Sequence, residues 1–360
     1  MSETMTAVLS ELGDLPNWDL GDLYPAPESP QLASDIEQVR ADAETFAKTY
    51  AGCLASLSGS ELGAAVAGYE DLQERMGRIS SYAQLVYAGD MSDPATGQFY
   101  QSMQETVTAI SSQLLFFTLE LNRIDEEELE RRLEVPALAR YRPWLRDLCA
   151  YRPYQLGDDL ERLLHEKYVS GRAAWNRLFD ESLAALRFDL DGEALTNAEI
   201  LNRMTDPDAG VRKRAAKSFG KVLGENLRIF TTITNTLAKD KEIEDSWRGF
   251  ARPVSSRNLA NFVEDEVVDA LVAAVTESYP RLSHRYYRLK AKWMGLEKLP
   301  YWDRNAPLPE ADDQVIPWSE ARSTVLSAYA DFSPKLAEVG RNFFDRPWID
   351  APTRPGKSPG

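Results

Sequence analysis

A His-Glu pair at His165-Glu166 is the first feature of the sequence that suggests metal chemistry. The motif H-E-x-x-H places two histidines one helical turn apart, where they hold a zinc ion while the glutamate activates a bound water. The second histidine of that motif would fall at Val169. The other histidine is His284, and the two cysteines are not spaced as zinc ligands. We therefore interpret the pair as part of a partly solvated helix face, and we predict no metal ligand and no catalytic residue in this chain.

Other signatures of chemistry are weak. The sequence contains no P-loop and no G-x-G-x-x-G dinucleotide motif. A basic stripe around His284, at 283–292, has the residue types that bind a carboxylate or a phosphate. We favour a solvated helix face paired with nearby acids. An enzyme that uses acids around His284 stays an open alternative.

Composition and charge narrow the classes of partner. The chain has 360 residues, 43% of them hydrophobic and 27% charged, as in a folded globular protein. Its net charge of −16 argues against nucleic acid or an anionic membrane as partner, because both attract a cationic surface. Peptides remain compatible with that charge. The sequence has two cysteines and no apolar run long enough to span a membrane, and its acidic N-terminus is not a signal peptide. We therefore predict a cytoplasmic protein.

The elements that must position any site are helices. Apolar residues recur every three or four positions over 30–50, 60–88 and 95–122, and again in several segments toward the C-terminus. Ser29-Pro30 is typical of a helix start, with an N-cap followed by proline. Glycines inside the second helix each destabilise it by roughly 1 kcal/mol relative to alanine, so we expect close helix contacts there.

One hairpin interrupts this helical pattern. Residues 187–195 alternate around Asp191-Gly192, a strong two-residue turn, and a capping box over 196–199 starts the next helix. The sequence thus predicts an all-α fold of long antiparallel helices with one small β-hairpin. No clean linker divides it, so we predict one helical body over 1–350 followed by an irregular tail at 351–360.

Five segments, in order along the chain, together carry a resemblance to a known family. They are NWDLGDLYP at 17–25, GRAAWNRLFDE at 171–181, WRGFARPVSSRNLANFVEDEVVDALVAAV at 247–275, YYRLKAKWMGLEKLPYWDRNAPLP at 286–309 and WIDAPTRPGKSPG at 348–360. In order and spacing they resemble oligoendopeptidase F, one of the thimet-oligopeptidase-like zinc peptidases. Each segment alone is modest, and the set is specific.

The resemblance implies a zinc metalloendopeptidase that cleaves short peptides in a channel between two helical halves. The family's H-E-x-x-H motif follows the segment that resembles Pro355-Gly356-Lys357, and this sequence stops at Gly360. The resemblance therefore implies a catalytically incomplete N-terminal part, with zinc a cofactor of the full-length family and the missing catalytic half a partner. Its tail leads toward the active-site cleft, where Arg354 and Lys357 are candidate substrate-binding residues; simple loop solubility is the favoured alternative for both.

Two hypotheses follow from the sequence. The first is the N-terminal portion of an oligoendopeptidase F-like enzyme, inactive alone. The second is a non-catalytic helical peptide-binding or scaffold protein. The first predicts no tightly held zinc and no peptide cleavage by this chain alone, whereas the second predicts peptide binding without turnover.

Overall fold

The structure is a computed structural model that describes residues 11–308 and 315–358. Helices form most of it, which confirms the predicted all-α class. In chain order they are α1 Pro30–Tyr50, α2 Gly59–Gly89, α3 Pro94–Ser112, α4 Leu115–Leu121, α5 Glu126–Arg132, α6 Pro136–Ala139, α7 Arg142–Cys149, α8 Asp158–Lys167, α9 Arg172–Ala185, α10 Asn197–Arg203, α11 Ala209–Glu225, α12 Leu227–Arg248, α13 Ser255–Ala260, α14 Asp265–Ser278, α15 Ser283–Trp293, α16 Trp318–Phe332 and α17 Pro334–Asp345. Short 3₁₀ turns lie at 20–22, 54–56, 152–154 and 301–303.

Local capping explains where several helices begin. The Ser29 hydroxyl accepts the Leu32 N–H at 3.2 Å, and Pro30 is the first residue of α1. The predicted capping box is present at α10, where Thr196 and Glu199 each accept the other's backbone N–H. α11 begins at Ala209. The cause is the Asp208 carboxylate, which accepts the N–H groups of the first turn and makes Asp208 the N-cap.

The predicted helix over 95–122 is two helices. α3 ends at Ser112 and α4 begins at Leu115, with a short turn between them. Ile110, Leu114 and Phe117 are all fully buried in one core. The change of direction thus lets apolar residues from both helices reach the same interior.

The largest hydrophobic core joins α1 to α7. The ring of buried Phe117 stacks on Tyr69 with ring centroids 4.7 Å apart and meets the edge of Phe46 at 5.2 Å. A second, smaller core forms around the hairpin and α11. The N-terminal helices therefore bury a core of their own.

The hairpin has the predicted register. Strands β1 Phe188–Leu190 and β2 Glu193–Leu195 pair antiparallel, with Phe188 opposite Leu195. Asp191 and Gly192 both have positive φ, 57° and 90°, as a type I′ turn requires.

The C-terminal helices are covered less well. α14 has no buried residue, and Val267, Leu271 and Val275, which align along it, are 45–63% exposed. Residues 309–314, between the 3₁₀ turn at 301–303 and α16, lie outside the described residues. Across the described parts of the chain, no helix has both the length and the apolarity to cross a membrane.

Candidate binding site

The His-Glu pair that opened the sequence analysis connects two helices through polar contacts. His165 Nε2 lies 2.8 Å from the Ser111 hydroxyl, and the Ser112 hydroxyl donates to Glu166 at 2.8 Å. Both contacts join α8 to the end of α3. His165 is half-buried and Glu166 exposed, as expected for a partly solvated helix face.

A zinc ion does not fit the donors in the described residues. Over 11–308 and 315–358, no three His, Cys, Asp or Glu side chains are grouped closely enough to hold a metal ion. His284 lies exposed on α15, beside Tyr279. A zinc site needs about four ligands, mostly His or Cys. No chemical step is therefore assigned to a metal in this part of the chain.

The C-terminal tail, in contrast, is an ordered part of the site. Its backbone forms hydrogen bonds from Ala351 N–H to Pro16 O at 2.9 Å, from Met91 N–H to Gly356 O at 2.6 Å and from Ser358 N–H to Ala88 O at 2.9 Å. These bonds hold 351–358 against the end of α2 and the link to α3.

The two predicted site residues meet at one carboxylate. Arg354 donates from Nη1 and Nη2 to the two oxygens of Asp350 at 2.9 and 2.7 Å, and Lys357 Nζ lies 3.3 Å from Asp350 Oδ2. Lys357 Nζ also donates to the carbonyls of Asp350 and Pro352. The Asp350 side chain is 2% exposed. Burial opposes its ionisation, but hydrogen bonds from Arg354 and the charge of Lys357 hold its pKa below the ordinary value.

Arg354 and Lys357 both line a cavity of about 350 Å³. Its other walls come from the end of α2, the start of α3, α9 and the start of α10. That volume lies at the lower end of the range typical of small-ligand pockets, roughly 300–1,000 Å³. The structure thus brings both predicted residues to the rim of one concave site, although each is already hydrogen-bonded to Asp350.

Two stacked tyrosines form part of the cavity wall. The rings of Tyr87 on α2 and Tyr100 on α3 are nearly parallel, with centroids 4.9 Å apart and an angle of 7°. Burial raises the pKa of both hydroxyls, and the negative charges of Asp180 and Glu181 raise that of Tyr87 further. Both hydroxyls therefore stay neutral at physiological pH and act as hydrogen-bonding groups.

Asp180, on α9, supplies a negative charge to the same cavity. Burial and the neighbouring Glu181 raise the pKa of its carboxyl. Sequence reasoning missed Tyr87, Tyr100 and Asp180 as site residues. The available signals were indirect: Tyr87 and Tyr100 belong to predicted helices, and Asp180 lies within the segment 171–181 that carries the family resemblance.

The tail residues GKSPG at 356–360 also fit the spacing G-x-S-x-G of a nucleophilic serine. Such a serine requires a strand–turn–helix context and a histidine base. Residues 351–358 are irregular, and no histidine lines the cavity that Ser358 borders. The N–H of Ser358 is used in docking the tail on Ala88. The described residues give this serine no nucleophilic machinery.

The fold resembles that of solved helical proteins described as peptidases. The crystal structure of oligoendopeptidase-F from Enterococcus faecium superposes with a TM-score of 0.71 over 87% of this chain and 60% of that chain, at 19% sequence identity. At that identity the likeness is one of fold.

Sequence comparisons point to the same group of proteins. A family model described as Oligopeptidase F matches residues 120–188. Oligopeptidase PepF of Bacillus subtilis is 26% identical over 98% of this chain, and group B oligopeptidase PepB of Streptococcus agalactiae is 26% identical over 81% of it. Together these findings show that the chain is similar to the oligoendopeptidase F peptidases. It spans about half the length of these relatives, 53% and 49% respectively.

Proposed function

We propose that this chain is the N-terminal helical portion of an oligoendopeptidase F-like zinc metalloendopeptidase that cleaves short peptides. Residues 1–350 form the body in this proposal, and 351–360 lead to the catalytic domain. The supporting observation is the docked tail, which brings Arg354 and Lys357 into the wall of the cavity between α2, α3 and α9.

The tail can contact a peptide even though its cations are paired. Arg354 has five N–H groups, and the hydrogen bonds to Gly89 O and to the two Asp350 oxygens use three of them. Its side chain is 36% exposed. The remaining N–H groups are available to a peptide carbonyl or carboxylate, while Asp350 fixes the direction of the guanidinium. In this proposal Lys357, only 18% exposed, mainly braces the tail and adds positive charge.

Zinc and the chemical step belong, in this proposal, to the catalytic half of the parent enzyme. The exposed apolar side chains of α14 are a surface that such a half would cover, since large exposed apolar patches mark contact surfaces. We place the protein in the cytoplasm because Cys53 and Cys149 are free thiols, as is usual in a reducing compartment.

The test compares two polypeptides with a quenched fluorescent peptide of five to nine residues. The chain alone should bind the peptide in calorimetry, hold no stoichiometric zinc and release no fluorescence. A polypeptide that continues through the natural reading frame downstream should hold one zinc and cleave the peptide. The variant Arg354→Gln should weaken peptide binding by the chain alone, and Arg346→Gln, which changes charge outside the cavity, should not.

Two results would overturn the proposal. One is tightly bound zinc with peptide cleavage by the 360 residues alone. The other is a downstream frame that encodes no H-E-x-x-H motif; in that case peptide binding without turnover would support the helical scaffold alternative.

A further inference from the structure

One buried polar group in the cavity lacks a partner. The Tyr87 hydroxyl forms no hydrogen bond with any of the described residues, although the residue is only 5% exposed. A buried hydroxyl without a partner destabilises the fold, because it has lost its hydrogen bonds to water. Tyr87 lines the cavity, so a group bound there can satisfy the hydroxyl.

A carboxylate beside this tyrosine also lacks a counterion. Asp180 is half-buried, and within the described ranges it forms no salt bridge and accepts no hydrogen bond. None of the cations that line the cavity forms a salt bridge with Asp180 in the described ranges. Arg354 and Lys357 lie against Asp350, and Arg177, whose charge acts on the Tyr87 and Tyr100 hydroxyls, lies 3.6 Å from Glu181. Partly buried carboxylates are normally paired, so Asp180 is a vacant anionic position in the wall.

The aromatic rings in the cavity wall also favour a cation. The faces of aromatic rings carry negative electrostatic potential and attract ammonium and guanidinium groups. Tyr87, Tyr100 and Asp180 line the same cavity, and the charge of Asp180 influences both hydroxyls. A neutral hydroxyl, a carboxylate and two π systems together form a receptor for an organic cation.

We infer that this side of the cavity binds a positively charged group of a short peptide, an ammonium or guanidinium, between Asp180 and the Tyr87–Tyr100 pair. This inference rests on the proposed function and adds a charge preference to it. The cation forms an ion pair with the Asp180 carboxylate and donates a hydrogen bond to the Tyr87 hydroxyl. The N-terminal ammonium and a basic side chain share this chemistry.

Three matched pentapeptides, all amidated at the C-terminus, separate these sources. The first has a free N-terminus and no basic residue, the second is acetylated and contains one lysine, and the third is acetylated and neutral. Calorimetry with the full chain should show the first, the second or both binding about tenfold more tightly than the third. The peptide that gains identifies the source of the cation.

Two substitutions locate the effect. Asp180→Asn should reduce the tenfold preference to about twofold or less and leave binding of the neutral peptide unchanged. Glu74→Gln makes the same charge change at an exposed position on α2, outside the cavity wall, and should keep the preference. Tyr87→Phe should reduce the preference by a few-fold, and it serves as the test if Asp180→Asn does not fold.

Failure of the inference is distinct from failure of the proposed function. Equal binding of all three peptides, or a preference that Asp180→Asn leaves intact, would overturn the charge preference while retaining peptide binding. No binding of any peptide would overturn both. Thermal unfolding of each variant checks that the fold is preserved.

Discussion

At the scale of single residues, Asp350 determines how the tail is held. Its buried carboxylate is the common acceptor for Arg354 and Lys357, the two residues that the sequence indicated as substrate contacts. The structure therefore gives these cations a positioning partner that the sequence alone did not indicate. Any contact they make with a peptide depends on this pairing.

Replacement of Asp350 by asparagine should release the tail. The variant leaves two cations near a neutral side chain, so backbone amides of 351–358 should exchange with deuterium about tenfold faster than in the wild type. Hydrogen exchange followed by mass spectrometry measures this. Amides in the α1–α7 core should not change, and unchanged tail protection would contradict the role of Asp350.

The same carboxylate predicts a dependence on pH. Its pKa in the folded chain is below the ordinary value of 3.8, so its stabilising effect is fully present above that value. As the pH falls through the lowered pKa, protonation removes the effect and the tail should loosen. Limited digestion with pepsin at a series of decreasing pH values measures this. In the wild type the tail should become cleavable at a higher pH than the rest of the chain. In Asp350→Asn this additional step should be absent.

At the scale of elements, the glycines of α2 differ in whether the surrounding structure has room for a side chain. A Cβ on Gly63 would lie 2.8 Å from the carbonyl carbon of Ala137, so this glycine permits close contact with α6. A Cβ on Gly68 would lie 3.3 Å from the Phe46 ring, whereas a Cβ on Gly77 would meet nothing within 4 Å. The close helix contact expected from the sequence exists at the first of these positions and not at Gly77.

Alanine substitutions at these glycines should therefore have opposite effects. Gly63→Ala should lower the free energy of unfolding by about 1–3 kcal/mol, because backbone atoms must move. Gly77→Ala should raise it by roughly 1 kcal/mol, since alanine favours a helix interior over glycine. Urea unfolding measures both changes. A loss of stability in Gly77→Ala would show that open space is not what governs this site.

At the scale of the whole molecule, one buried ion pair joins distant parts of the chain. Arg212 on α11 donates from Nε and Nη2 to Asp303 Oδ1 at 2.9 and 2.7 Å, with both side chains at most 4% exposed. Its Nη1 donates to the carbonyls of Asp206 and Pro207. The pair anchors the segment after α15 to the hairpin region, where helices bury few residues of their own.

Asp303→Asn should destabilise the chain by about 3 kcal/mol, because Arg212 would remain as a buried charge without a counterion. The control is Asp191→Asn, which removes the partner of Arg214 on the same helix. That pair is about half exposed on both sides, so its loss should leave the free energy of unfolding close to the wild type. Equal effects of the two substitutions in urea unfolding would contradict the importance of burial here.

The sequence by itself determined the local structure. Four predicted features depend on residues a few positions apart, and the structure confirms each of them. They are the helix class, the start of α1 at Ser29-Pro30, the capping box at Thr196 and the hairpin turn at Asp191-Gly192. The family resemblance was likewise carried by short segments. The break between α3 and α4 differed from the single helix predicted over 95–122, because residues of both helices pack in one shared core.

Only the tertiary structure decided the candidate site. The cavity is lined by four separate parts of the chain, which contribute Tyr87, Tyr100, Asp180 and the tail at 351–358. No spacing in the sequence indicates that they line one cavity. The burial of Asp350 was likewise not visible in the sequence. Its carboxylate pairs with Arg354 and Lys357, the two candidate substrate contacts, and so holds the tail in place. Such juxtapositions depend on how whole helices pack, and packing is a property of the complete set of contacts rather than of neighbouring residues.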